Sequence, residues 1–343
     1  MSYSNQSNQF NQSSMNINEN KHLPFVERFR PKTLDDVMSQ EETVNTLKQF
    51  LNKQNIPHLL FYGPPGTGKT STIEAFTSQL YGPDNVDYMT MKINASEERG
   101  IEIVRNKIKN FASTLPIKID KDTGPQYKFI ILDEADAMTL DAQGMLKQVI
   151  EVYTKNARFC LICNCNKKIN PAIQSRCMVF NFSPLDFDSV KKKISYISEE
   201  FGIDITNDGI KTIWKLSNGD MRKVMHMLQV ISITQKKITS DVVTKFKKYP
   251  TDSEIDSLYK ILKNKDLKKS INYFRQFINQ NHYALIDILA ELTSKLNNDI
   301  INGVIDSVSG ANILLNLRDV ELNIIVTTDT DVQLSAISAV FSL

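Results

Sequence analysis

Eight consecutive residues, Gly63-Pro64-Pro65-Gly66-Thr67-Gly68-Lys69-Thr70, fill the pattern G-x-x-x-x-G-K-[ST] in full. Glycines at these spacings let successive backbone N–H groups curl around a β-phosphate, and the positive end of a following helix reinforces them. Lys69 reaches the β- and γ-phosphates and Thr70 offers a hydroxyl to a divalent cation, so the expected ligands are ATP and Mg²⁺. The apolar run HLLFYG at 58–63 precedes the loop and helical spacing from Thr70 to Leu80 follows it. Without that context the same residues would be a glycine–proline turn.

Hydrolysis needs a second group that holds the cation and activates water. The stretch FIILDEAD at 129–136 offers one. Its apolar residues make a buried strand, Asp133 at the strand end binds the Mg²⁺ shell, and Glu134 polarises the attacking water. Capping of the next helix is the alternative use of the two carboxylates. Asn164 ends the run FCLICN at the same sheet edge, where an amide either orients the water and touches the γ-phosphate or simply makes a turn. Arg222 follows Gly219-Asp220 in a later helix. It reaches the γ-phosphate only if its domain folds over the nucleotide, and is otherwise a solvated helix arginine.

These residues need a scaffold. Strand-like runs at 58–63, 88–94, 128–133, 159–164 and 178–182 alternate with helical segments at 70–80, 100–113 and 142–153, the pattern of an α/β domain with a mostly parallel sheet of at least five strands. After Ser183-Pro184-Leu185 the strand pattern stops, and 188–200, 207–216 and 220–233 read as short helices. A turn at Tyr249-Pro250-Thr251-Asp252 introduces a third, helical stretch with apolar residues three and four apart. The expected organisation is a disordered Asn/Gln/Ser-rich tail over 1–21, an α/β nucleotide-binding domain over 22–184, a helical lid over 185–249 and an all-helical domain over 250–343.

A formal net charge of +2 argues for no nucleic-acid partner by itself, since the clustering of Lys and Arg decides phosphate affinity. No apolar stretch is long enough to span a membrane, and the first residues lack the apolar segment of a signal peptide, so an intracellular, membrane-free setting is expected. Cys160, Cys163, Cys165 and Cys177 fall close together. In a strand, Cys160 and Cys163 point to opposite faces, which favours buried thiols over metal ligands.

Seven segments together resemble the small subunits of eukaryotic replication factor C, the sliding-clamp loader, within the AAA+ ATPases: LPFVERFRPKTLDDV at 23–37, PHLLFYGPPGTGKTSTI at 57–73, NASEERGIEIVR at 94–105, ILDEADAMTLDAQ at 131–143, ARFCLICN at 157–164, PAIQSRC at 171–177 and SNGDMRKV at 217–224. The resemblance implies an AAA+ domain, a helical lid and a helical collar that joins subunits. It places Val26 and Arg30 at the adenine pocket, Asn164 and Arg222 as the two nucleotide sensors, and Arg176 as a residue that reaches the ATP of a neighbouring subunit. The helix after the carboxylates carries Lys147 and Gln148 where such subunits often have two arginines, so a second trans-acting arginine is not expected. Gly144 in that helix is unfavourable by about 1 kcal/mol relative to alanine.

The resemblance further implies a nuclear hetero-pentamer of sibling subunits that loads the sliding clamp, PCNA, onto primer–template DNA. Arg99, Arg105 and Lys109 would then follow template phosphates without reading sequence; by pattern alone they are a solvated helix face. An ATP-holding scaffold that turns over little and mainly donates Arg176 is the alternative, along with a different DNA-remodelling AAA+ ATPase.

Overall fold

The computed structural model describes residues 23–53, 55–116, 127–326 and 329–342. The tail over 1–21 lies outside the described residues. Five strands, β1 His58–Tyr62, β2 Thr90–Asn94, β3 Lys128–Asp133, β4 Ala157–Cys163 and β5 Cys177–Asn181, form one sheet in the order β2-β3-β4-β1-β5. Every pairing is parallel. Because both faces are covered, the central strands are apolar at almost every position rather than alternating. Leu60, Ile130, Leu132 and Leu161 pack into one core layer, while Leu59, Phe61, Phe129, Ile131 and Ile162 pack into the other. Cys163 belongs to the first layer and Cys160 to the second.

Several boundaries differ from the sequence expectation for local reasons. The run starting at Tyr88 opens as a helical turn, Val86–Met89, before β2 begins at Thr90. β4 ends at Cys163, which leaves Asn164 just beyond the strand. The helix expected over 100–113 passes from Ile101–Ile103 through a π-helical stretch, Val104–Ile108, into Lys109–Ser113. Gly144 has no atom within 4 Å of where a Cβ would sit, so no close contact requires it.

The nucleotide loop ends in helix α1, Lys69–Tyr81. Helix α2, Leu140–Tyr153, starts at Thr139, whose side chain accepts from the Ala142 N–H, an N-cap that satisfies one orphan donor. Three helices then form the lid: α3 Phe187–Phe201, α4 Asn207–Ser217 and α5 Met221–Thr234. Their buried residues, Val190, Ile194 and Ile197, then Ile210 and Ile213, then Val224, Leu228 and Ile231, recur at helical spacing and give each helix one apolar face.

A second compact unit spans Ile238–Leu343 and holds the helix Ser240–Lys247. That unit also contains α6 Asp252–Lys263, α7 Leu267–Asn281, α8 Leu285–Ile301, α9 Ser307–Val326 and α10 Thr330–Ser342. Leu258, Phe274, Leu292, Leu296 and Ile337 share its core. Thr251 and Glu254 form a capping box at the start of α6, and Tyr249 donates to Glu291 at 2.7 Å. No helix among the described residues is long and apolar enough to cross a membrane.

Candidate active site

The loop after β1 needs glycine at two places for different reasons. At Gly63, φ is +145° and a Cβ would lie 2.1 Å from the carbonyl oxygen of Phe182. At Gly66, φ is +71° and a Cβ would lie 1.7 Å from Asp220 Oδ1, so the lid approaches the loop too closely for any side chain. The loop is closed by its own polar groups: Thr67 Oγ1 donates to the Pro64 carbonyl at 2.9 Å and Thr72 Oγ1 to that of Gly68 at 2.9 Å.

Lys69 is buried, and its Nζ donates to the carbonyls of Gly63 and Pro64, each at 2.7 Å, and to Asn164 Oδ1 at 3.3 Å. Burial lowers its pKa; Asp133 opposes the shift and Arg222 adds to it. Asn164, the residue beyond β4, is thus joined directly to the loop lysine. Thr70 Oγ1 donates to Asp133 Oδ2 at 2.8 Å, which puts two hard oxygen donors from α1 and β3 side by side. Such a pair suits a small divalent cation.

Glu134 has φ +52°, a left-handed conformation that strains a residue with a Cβ. Its N–H donates to Asp133 Oδ1 at 2.9 Å, and its carbonyl accepts from Ala137 N at 2.9 Å at the start of the turn Ala135–Ala137. The strained turn presents Glu134 to the same cavity as Asp133, Lys69, Thr70 and Asn164.

The lid closes over the loop through backbone contacts. Met221 N donates to the Gly66 carbonyl at 3.0 Å, while Asp220 caps α5 by accepting from the N–H groups of Arg222 and Lys223 at 2.9 and 3.3 Å. Arg222 therefore lies at the helix start nearest the loop and lines the cavity. Val26 and Arg30 line the same cavity. Arg30 is committed to carboxylates, with Glu74 at 2.9 Å and Glu27 at 2.8 Å, and serves as wall rather than as a free donor. This wall is fastened to the lid: Phe25 N donates to Gln229 Oε1 at 3.1 Å, Arg28 pairs with Glu200 at 2.6 Å and lies 4.5 Å over the Phe201 ring.

Sequence reasoning missed part of this cavity. Phe29, Val37 and Met38 line it, although they lie in or beside a segment already singled out. Lys193 lines it too, and no motif marks it, because the lysine run at 191–193 reads as a solvated helix face.

Arg176 lies outside the cavity, after the short helix Pro171–Gln174. Its guanidinium bonds the Ala172 carbonyl at 2.6 Å and Glu151 at 2.5 Å. The turn that carries it is braced by buried Gln143, which donates to the Lys168 carbonyl at 3.1 Å and accepts from Asn170 N at 2.7 Å. Lys147 sits 4.0 Å from the same Glu151. Arg99, Arg105 and Lys109 are exposed and also lie away from the cavity; Arg105 pairs with Glu102 at 3.1 Å. The cysteines are free thiols. Burial raises Cys160 and pushes Cys163 and Cys177 up to about 12, which leaves them protonated and unreactive.

A nucleotide loop, a strand-end carboxylate pair, an amide on the neighbouring strand and an arginine on a covering lid form an arrangement for splitting a nucleoside triphosphate. The family model of the ATPase family associated with various cellular activities (AAA) matches residues 59–185, and that of the replication factor C C-terminal domain matches 250–340. Replication factor C subunit 5 of Homo sapiens is 39% identical over 325 residues, covering 94% of this chain and 92% of the human one. Subunit 3 of Schizosaccharomyces pombe is 44% identical over 78% of this chain and 76% of its own, and subunit 3 of Saccharomyces cerevisiae 37% identical over 92% of both. The Holliday junction branch migration motor RuvB of Thermotoga maritima superposes with a TM-score of 0.52 at 15% identity, covering 80% of this chain and 88% of its own, a likeness of fold alone. The chain is a nucleotide-binding ATPase and belongs to the replication factor C subunits of the AAA family.

Proposed function

We propose that this chain is one ATPase subunit of a nuclear hetero-pentameric clamp loader, assembled with sibling replication factor C subunits, that loads the sliding clamp PCNA onto primer–template DNA. The observation that carries the reading is the meeting of Lys69, Thr70, Asp133, Glu134 and Asn164 at one cavity with Arg222 on its lid, while Arg176 stands outside on a braced turn.

Thr70 and Asp133 would hold Mg²⁺, which when bound supplies positive charge beside the β- and γ-phosphates. The backbone N–H groups of Gly66 to Thr70 hold the phosphates, and Lys69 neutralises charge that builds during transfer. Glu134 orients the attacking water and takes its proton; Asn164, bonded to Lys69, positions the same water. Arg222 on the lid links the γ-phosphate to lid position. Arg176 acts in trans on the neighbouring subunit's ATP, so each turnover requires assembly. Arg99, Arg105 and Lys109 contact DNA phosphates, a use that suits their exposure and indifference to sequence.

The reading is tested by ATP turnover of the assembled complex, with clamp and primed DNA present, when only this subunit carries Lys69→Ala. A fall in stimulated turnover is expected. Unchanged turnover would make the subunit a scaffold instead.

A further inference from the structure

Apolar side chains line part of the nucleotide cavity, Val26, Phe29, Val37, Met38, Leu185 and Met225 among them. Besides Lys69 and Arg222, two further cations line it. Arg30 is saturated by Glu27 and Glu74. Lys193, on α3, is not: among the described residues its ammonium has no hydrogen bond or ion pair. The rings of Phe29 and Tyr196 are each 5.7 Å away.

The carboxylates that influence Lys193 already accept from other groups, each through one oxygen. Asp36 accepts from Thr33 N at 3.0 Å, Thr33 Oγ1 at 2.8 Å and Lys32 N at 3.3 Å, and Glu200 pairs with Arg28. Burial lowers the Lys193 pKa, against the pull of Asp36 and Glu200. A half-buried ammonium with three donors and no acceptor is costly to maintain unless something else accepts from it.

We propose that Lys193 donates a hydrogen bond to an acceptor on the base-and-ribose half of the bound nucleotide, and so recognises the nucleoside rather than its phosphates. The proposal rests on the nucleotide-site reading above. It follows from position: Lys193 lines the same cavity as the phosphate loop but lies beside the 26–38 segment, its ammonium 5.7 Å from the Phe29 ring. The rings of Phe29 and Tyr196 hold the ammonium in place by cation–π attraction without using its N–H donors.

The test measures binding of ATP, ADP and inorganic tripolyphosphate to the full chain and to Lys193→Met. The expected result is about a tenfold loss for ATP and for ADP alike, the scale of a hydrogen bond to a charged group, with tripolyphosphate held within twofold. Lys193→Arg, which keeps a donor and the charge, should recover most of the loss, and thermal melting shows whether each variant is folded. Equal weakening of tripolyphosphate would mean a diffuse charge effect and overturn the proposal, as would unchanged ATP and ADP binding or an arginine variant no better than methionine. Wild-type chain that binds no ATP would sink the nucleotide-site reading itself, a result distinct from a variant that binds like wild type.

Discussion

Replacing Gly66 by alanine should separate the lid from the nucleotide loop. The new Cβ would lie 1.7 Å from Oδ1, 2.4 Å from Cγ and 3.1 Å from Cα of Asp220, so the carboxylate must leave. Its departure removes the cap on α5, worth about 1 kcal/mol, and the left-handed backbone costs alanine about 1 kcal/mol or more. The hydrogen bond from Met221 N to Gly66 O, at 3.0 Å, is stretched at the same time. Gly66→Ala should therefore destabilise the lid by about 2 to 3 kcal/mol, and Asp220→Ala alone by about 1 kcal/mol. The overlap is mainly with the Asp220 side chain, so the double variant should be more stable than the sum of the single ones by about 1 kcal/mol. Urea unfolding followed by the single tryptophan measures this, since Trp214 lies in α4 and donates to the Leu185 carbonyl at 3.0 Å. Additive effects, or a Gly66→Ala variant within 0.5 kcal/mol of wild type, would refute the argument.

Three further outcomes follow from other side chains. Arg176→Ala should lower turnover at the neighbouring subunit's site by about 10³-fold or more yet leave ATP affinity of the isolated chain unchanged; Glu151→Ala breaks only half-exposed pairs, with Arg176 and Lys147, and should alter stability by less than about 1 kcal/mol. Steady-state turnover of the complex and nucleotide titration of the single chain separate these effects. His58 is buried and accepts from Phe159 N at 3.2 Å, and burial, aided by the Arg158 charge, lowers its pKa from 6.5 to about 4. The unfolded chain takes up that proton first, so the contribution is complete above pH 6.5 and is lost as pH falls towards 4. About 2 kcal/mol should be gone by pH 5. His58→Gln should flatten the fall in unfolding free energy between pH 7 and pH 5, and an identical slope would count against this account.

The parts of the site that the sequence displays are those built by neighbours along the chain. Gly63 to Thr70 and the Asp133–Glu134 pair each declare their chemistry in a few consecutive residues, flanked by strand and helix patterns of the right period. β1, β3 and β4 are apolar at almost every position because helices cover both faces, which the sequence displays as short apolar runs. What escapes is whatever depends on distant pieces meeting. Lys193 has an ordinary helical surface context, and only the approach of Phe29 and the 26–38 segment turns its ammonium towards a cavity. The left-handed backbone at Glu134 is equally hidden, since Glu carries no preference for that conformation and the strain is borne by the Asp133 and Ala137 hydrogen bonds.

The fastening of the 25–30 wall to the lid has a consequence for the order in which this protein becomes competent. The Arg28–Glu200 and Phe25–Gln229 bonds span 172 and 204 residues. During synthesis β1 can pair with β4 and β5 only once Asn181 has been made, and Glu200 and Gln229, which hold the wall, come later still. Contacts this remote form slowly, since they close long loops. A growing chain thus completes the strands around its phosphate cradle before its nucleoside pocket, and a chain halted between Asn181 and Glu200 would have those strands but no partner for Arg28 or Phe25 to close the wall.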